Sequence, residues 1–174
     1  MAQELFYEGH TNSVKQVLLT STEREFMTCS NDFTIMIWDL PTYGLKKILK
    51  GHTDEVNSIS LSYDDRVLVS SSKDKTIRVW DLNQNYDAIF LKDSYDIVCI
   101  LLSKDMRYIA SSFSNGELRL WTYYNKEVIL SLHTFFHEIY KFTFTPDNDH
   151  IILGSNSTDI KVWNISENHI KYLI

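Results

Sequence analysis

"TIMIWDL" occupies Thr34 to Leu40, and "TIRVWDL" occupies Thr76 to Leu82, 42 residues further on. Two near-identical phrases at a fixed offset are the mark of an internal repeat, and overlooking one misreads the whole fold. The four tryptophans extend the register: Trp38, Trp80, Trp121 and Trp163 are spaced by 42, 41 and 42. "GHTNSV" starts at Gly9 and "GHTDEV" at Gly51, each Gly-His beginning 29 residues before its Trp. The same step back from Trp121 and Trp163 reaches Lys92 and Thr134. Those repeats have lost the Gly-His, yet Val14, Val56, Ile97 and Ile139 remain in register.

Each period reads as four short strands. Val56–Ser62 alternates apolar and polar residues, the signature of a half-buried strand. The Asp-rich "YDDR" turns the chain, Val67–Ser72 is a nearly continuous β-forming run, and "KDK" turns it again. Thr76–Trp80 alternates once more, "DLNQNY" is a polar loop, and Ala88–Leu91 is a short last strand. No stretch sustains a 3.6-residue apolar repeat over helix length.

Gly-His near the start, Trp-Asp at the end, a period of about 40 to 45 residues and four strands per unit resemble a WD-repeat β-propeller blade. The match is strongest in the first two repeats. The third ends "LRLWTY" and the fourth "IKVWNI". The resemblance implies an all-β fold of four four-stranded antiparallel blades, as a partial propeller or a ring completed by further chain. The expected organisation is one WD-repeat domain over residues 1–174. Its repeats are 9–50, 51–91, 92–133 and 134–174, and residues 2–8 form an orphan outer strand. "ELFYEGH" aligns with "KKILKGH", so the orphan strand belongs to a blade whose other strands lie elsewhere, while "HIKYLI" already completes repeat four. Three arrangements stay open: a piece of a longer protein, open faces covered by another chain including a second copy, or closure as four blades alone.

Composition limits the function classes. The chain is 44% hydrophobic and 23% charged, as expected of a globular protein. A net charge of −6 without a Lys/Arg run argues against direct nucleic-acid binding, which needs clustered positive charge. No apolar run approaches the roughly 20 residues of a membrane span, and the N-terminus lacks the features of a secretory signal. Cys29 and Cys99 sit in predicted strands and read as buried thiols in an intracellular, cytoplasmic setting.

His52, Ser70 and Asp74 supply the residue types of a hydrolase triad. The same pattern recurs as His10, Thr28 and Asp32, locked each time to a Trp six residues after the Asp, and recurrence argues for architecture over catalysis. The resemblance implies a buried network within a blade: Asp32, His10, Thr28 and Trp38 in the first, Asp74, His52, Ser70 and Trp80 in the second. The donor-only indole needs an acceptor when buried, and such a network is kept or lost as a unit. Repeat three retains Trp121 and Ser111 but has Asp93 and Asn115 at the His and Asp positions. Repeat four has Phe135, Leu153 and Ser157 there, which reads as apolar replacement. His133 and His137, four apart in a loop, do not read as zinc ligands, and no Gly-rich phosphate loop exists. No cofactor or metal is expected.

The chain therefore reads as a non-enzymatic interaction scaffold for other proteins, with hydrolase-like and nucleic-acid-binding roles as the rejected alternatives. The resemblance implies contacts through the face bearing the residues just before each first strand: Asn12-Ser13, Asp54-Glu55, Tyr95-Asp96 and His137-Glu138. Glu55, Asp96 and Glu138 fall at one position, which suggests an acidic arc suited to a partner's basic side chains. The second set on that face, Asn31, Lys73, Ser114 and Asn156, is mixed. Phe33, Tyr95, Phe113, Phe136 and Tyr140 are candidate aromatic contacts.

Overall fold

The structure, a computed structural model, describes residues 9–84, 86–133, 139–155 and 160–173. All regular elements among them are strands. The first sheet holds β1 (Val14–Leu19), β2 (Glu25–Ser30), β3 (Ile35–Asp39) and β4 (Leu45–Leu49). The second holds β5 (Val56–Leu61), β6 (Val67–Ser72), β7 (Thr76–Asp81) and β8 (Tyr86–Lys92). The third holds β9 (Ile97–Leu102), β10 (Tyr108–Phe113), β11 (Glu117–Thr122) and β12 (Val128–His133). The fourth holds β13 (Ile139–Phe144), β14 (His150–Ser155), β15 (Ile160–Asn164) and β16 (His169–Leu173). Each sheet is an antiparallel meander in chain order, which is the construction of a propeller blade. β8 runs longer than its sequence suggests. Asp87 pairs with Trp80 in the ladder and its carboxylate meets Arg78, so a cross-strand ion pair extends the strand into the polar loop.

The turns repeat as faithfully as the strands. Glu23, Asp65, Met106 and Asn148 have positive φ at one register position, and Phe33, Lys75 and Gly116 at another. Tyr43, Lys126 and Asn168 share a third. Each of these hairpins thus places one left-handed residue, the geometry that lets a short connection follow the strand twist.

The blades pack in sequence. Met27, Cys29, Ile35 and Ile37 of the first close against Val56, Ile59, Leu68 and Trp80 of the second. Val69 and Ile77 meet Ile100, Ile109 and Trp121 in the next interface. Leu118 and Leu120 meet Phe142, Ile151 and Trp163 in the last. Among the described residues the four sheets do not close into a ring. Val14, Val17 and Leu19 of β1 are exposed at one end of the arc, and Ile152 and Ile160 at the other. The orphan strand expected over residues 2–8 lies outside the described residues.

Every inner strand carries an irregularity at the same place. Pairing with the neighbouring strand skips Lys15 in β1, Asn57 in β5, Val98 in β9 and Tyr140 in β13. A bulge leaves one residue unpaired and re-aims its side chain. Four in register put four re-aimed residues, one from each blade, at the same end of the inner strands.

Candidate functional site

In the first two blades the repeated His, Asp, Ser/Thr and Trp residues do meet. A carboxylate accepts only, so His52 Nδ1–H donates to Asp74 Oδ2 at 2.8 Å. Its Nε2 lies 2.7 Å from Ser70 Oγ, which accepts the Trp80 indole N–H at 2.9 Å. The first blade repeats these distances: His10–Asp32 at 2.8 Å, His10–Thr28 at 2.7 Å and Trp38–Thr28 at 2.9 Å. Asp74 also takes bonds from the Thr76 hydroxyl and the Thr53 and Thr76 amides. Burial pushes the Asp74 carboxyl up, but the bonds from His52 and Thr76 outweigh it and hold the group well below the usual carboxylate range. Asp32 is likewise lowered: Thr34 and His10 overcome its burial. Gly51 lets this assembly close, because a Cβ there would lie 2.7 Å from Arg78 Nη1 and 3.1 Å from the Trp80 ring. Ser70 Oγ is fully buried between imidazole and indole, so its hydroxyl faces structural partners and no open cleft.

The third blade solves the same problem with opposite charges. Trp121 still donates to Ser111, at 2.7 Å. Arg119, two residues before the Trp, becomes the hub. It grips Glu117 bidentately through Nε at 2.5 Å and Nη2 at 2.7 Å, and Nη1 reaches Asp93. Its guanidinium lies 4.4 Å from the centre of the Phe113 ring. Bonding to Arg119, opposed by burial, holds the Glu117 carboxyl at about 2. Asn115 and Ser131 complete the shell around Glu117. This Arg-centred set was missed by the sequence reading. The available signal was an acid at the His position and another, Glu117, at the position of Thr34 and Thr76, with an Arg between it and the Trp. In the fourth blade Leu153 fills the hydroxyl position, and the Trp163 indole turns to Asn168 Oδ1 at 3.3 Å. Phe135 and Ser157 lie outside the described residues.

The four bulges line a half-open cleft of about 340 Å³. Lys15, Asn57, Val98 and Tyr140 enter it as the bulge residues, and Ser58, Cys99 and Lys141 as those that follow three of them. Lys73 and Ser114 enter from the tight turns. The two residue sets expected on this face are stapled together in the first three blades: the amides of Asn31, Lys73 and Ser114 donate to the carbonyls of Ser13, Glu55 and Asp96. Gln16 and Ser58 bond at 2.9 Å, and Ser58 continues to Cys99 at 3.6 Å, so polar contacts run from blade to blade beside the cleft. Burial pushes the Cys29 thiol up to about 12 and raises Cys99, which makes both poor nucleophiles.

The expected acidic arc needs correction. Glu55 is already paired within the fold, with Lys73 2.9 Å from its carboxylate and Lys15 at 3.7 Å. Asp96 does line the cleft, and the Asp54 carboxylate caps the Glu55 amide at 2.7 Å. His137, Glu138, Phe136 and Asn156 lie outside the described residues. Of the aromatics, Phe33, Tyr95 and Tyr140 are exposed, whereas Phe113 is fully buried beneath Arg119 and is core. Lys15, Asn57 and Lys141 are site residues that sequence reasoning did not single out.

Four meandering sheets, packed in series through apolar interfaces and each holding one buried Trp, define a chain of propeller blades. The family described as "WD domain, G-beta repeat" matches residues 2–39, 44–81 and 129–164, more than half of the chain. The chain belongs to the WD-repeat family. It is also 28% identical over 157 residues to apoptotic protease-activating factor 1 of Homo sapiens, a match covering 90% of this chain and 12% of that protein. Residues 82–128, between the second and third family matches, carry β9 to β11 of the blade whose network is rebuilt around Arg119.

Proposed function

We propose that the chain is a non-enzymatic interaction scaffold that binds other proteins at the cleft formed by its bulged inner strands, as a subunit of a larger assembly. WD repeats generally serve protein–protein interaction, which gives the coarse class. The observation that carries the reading here is convergence. The cleft takes Lys15 from the first blade, Asn57 from the second, Asp96 from the third and Tyr140 from the fourth, so one rigid surface samples every repeat. The burial of Ser70 and the high thiol pKa of Cys29 favour binding over covalent chemistry. Two buried free thiols support the cytoplasmic setting. The finer expectation of a partner presenting basic side chains now rests on Asp54 and Asp96, since Glu55 is already neutralised within the fold.

The test is capture of proteins from cell extract by the immobilised chain and by a Tyr95→Ala/Tyr140→Ala variant, both rings being about half exposed. Loss of the same captured proteins from a variant that melts like the parent supports the reading. Unchanged capture overturns the assignment to this face.

A further inference from the structure

The groove between the second and third blades departs from the repeat in a way the fold does not require. It holds about 230 Å³ and opens beside the turns that follow β7 and β11, at the strand ends opposite the cleft. Ala88 makes the room, because it pairs with Val79 where the other blades carry Lys47, Leu130 and Lys171. Phe90 makes the floor. Pairing skips Lys46 in β4 and Ile129 in β12 next to the Trp, whereas in β8 it skips Phe90, and the re-aimed ring lies edge-on to Trp121 at 6.4 Å. Tyr123 and Tyr124 make the wall, in edge contact at 5.1 Å. Counted from the Trp, the first stands where the other blades have Leu40, Leu82 and Ile165, and the second where they have Pro41, Asn83 and Ser166. Tyr124 is 75% exposed, so its ring serves no core.

The chemistry of the groove narrows its occupant. Lys126 holds its ammonium 5.5 Å from the centre of the Phe90 ring. Among the described residues, that ammonium and the two phenols have no hydrogen-bond or ion-pair partner. Burial pushes the Tyr123 phenol up, and Tyr124, Asp81 and Asp64 add to the shift, so the group keeps its proton and stays a donor. Charge around the groove is balanced, Lys126 and Arg66 against Asp81 and Asp64, and favours neither an acidic nor a basic ligand. Three donors on apolar walls, with no carboxylate or amide side chain among the lining, suit a ligand rich in acceptors and poor in donors. Proline meets that description, with an apolar ring, a carbonyl whose partial negative charge faces the donors, and no N–H. A run of prolines also holds its extended left-handed helix before it binds, so little order is lost on docking.

We propose that this groove binds a proline-rich segment of a protein partner, packing proline rings on Phe90, Tyr123 and Tyr124 with main-chain carbonyls turned to Lys126 and the phenols. The groove shares no residue with the cleft, so it gives the scaffold a second contact, and the extract experiment tests the cleft independently.

The probes are fluorescein-labelled peptides of equal length: polyproline, Gly/Ser, and Gly/Ser carrying a Glu or a Lys triplet, each titrated with the chain by fluorescence anisotropy. Polyproline is expected to bind at least about tenfold more tightly than each of the others, with little change as salt rises from about 50 to about 200 mM. Ala88→Lys, which installs the residue that the first and fourth blades carry at this position, should weaken it by about tenfold or more, and Tyr124→Ala by about threefold or more. Tyr95→Ala, on the cleft face, should leave it within about twofold. Tryptophan fluorescence and thermal melts establish that each variant is folded. Absence of polyproline binding, equal binding of all peptides, or a preference for the Glu or Lys peptide overturns the proposal. Binding undiminished by Ala88→Lys also overturns it, and if Tyr95→Ala abolishes that binding the contact belongs to the cleft and the scaffold reading stands.

Discussion

At the scale of single residues, the first three blades give the buried indole N–H a hydroxyl acceptor and differ in the polar set built beside it. The first two use imidazole, carboxylate and hydroxyl, and the third uses guanidinium against two carboxylates. Trp80→Ala removes a buried ring and its bond to Ser70, and should cost about 3–5 kcal/mol in denaturant unfolding. His52→Ala strands Asp74 and Ser70 and should cost about 1–3 kcal/mol. The acid limb of stability follows from the same groups. Glu117, held at about 2, titrates near 4.3 when unfolded, so its stabilisation is complete above about pH 5 and lost as pH falls toward 2. Asp74 and Asp32, also lowered, act in the same direction. Melting temperature should therefore fall steeply below about pH 5, and Glu117→Gln should flatten the upper part of that fall. An unchanged slope in the variant would show that Glu117 is not held by Arg119 as described.

At the scale of elements, strand positions were legible in the sequence because alternation and turn residues are local signals. The bulges were not. A skipped pairing is a relation between two strands, and "VKQVLL" or "VNSISL" alternates the same way with or without it. The bulges decide which side chains reach the cleft, and for that reason Lys15, Asn57 and Lys141 escaped the reading while Lys73 and Ser114 did not. The third-blade network was hidden for a different reason: its members share positions but not residue types with the first two. The turns "YDDR" and "KDK" were legible from their composition, but the left-handed position they share was not, because Phe33 and Lys75 take it without glycine where Gly116 has φ of 81°. Gly116→Ala should cost about 1–2 kcal/mol. Lys75→Gly, at the matching position of the second blade, should by contrast change the melting temperature little, since relief of strain is offset by unfolded-chain entropy.

At the scale of the molecule, repeat register sets burial except at the two ends. Ile35, Ile77 and Leu118 occupy one register position and are all 0% exposed, whereas Ile160, their equivalent in the fourth blade, is 50% exposed. Val56, Ile97 and Ile139 are likewise 0% exposed at a position where Val14 of the first blade is 49% exposed. Apolar faces of this kind mark surfaces made to be covered. The purified chain should bind a hydrophobic dye, and Val17→Lys/Ile152→Lys should reduce the signal without loss of strand content by circular dichroism. The central claim is that four blades pack in series through a repeated interface and leave their outermost faces open. Parallel thermal melts of Ile77→Asp and Ile160→Asp test it most directly. The first buries an unpaired carboxylate between the second and third blades and should be severely destabilised, while the second should stay within about 0.5 kcal/mol of the parent. Equal losses in the two variants would place Ile160 in a buried interface and contradict the open arc.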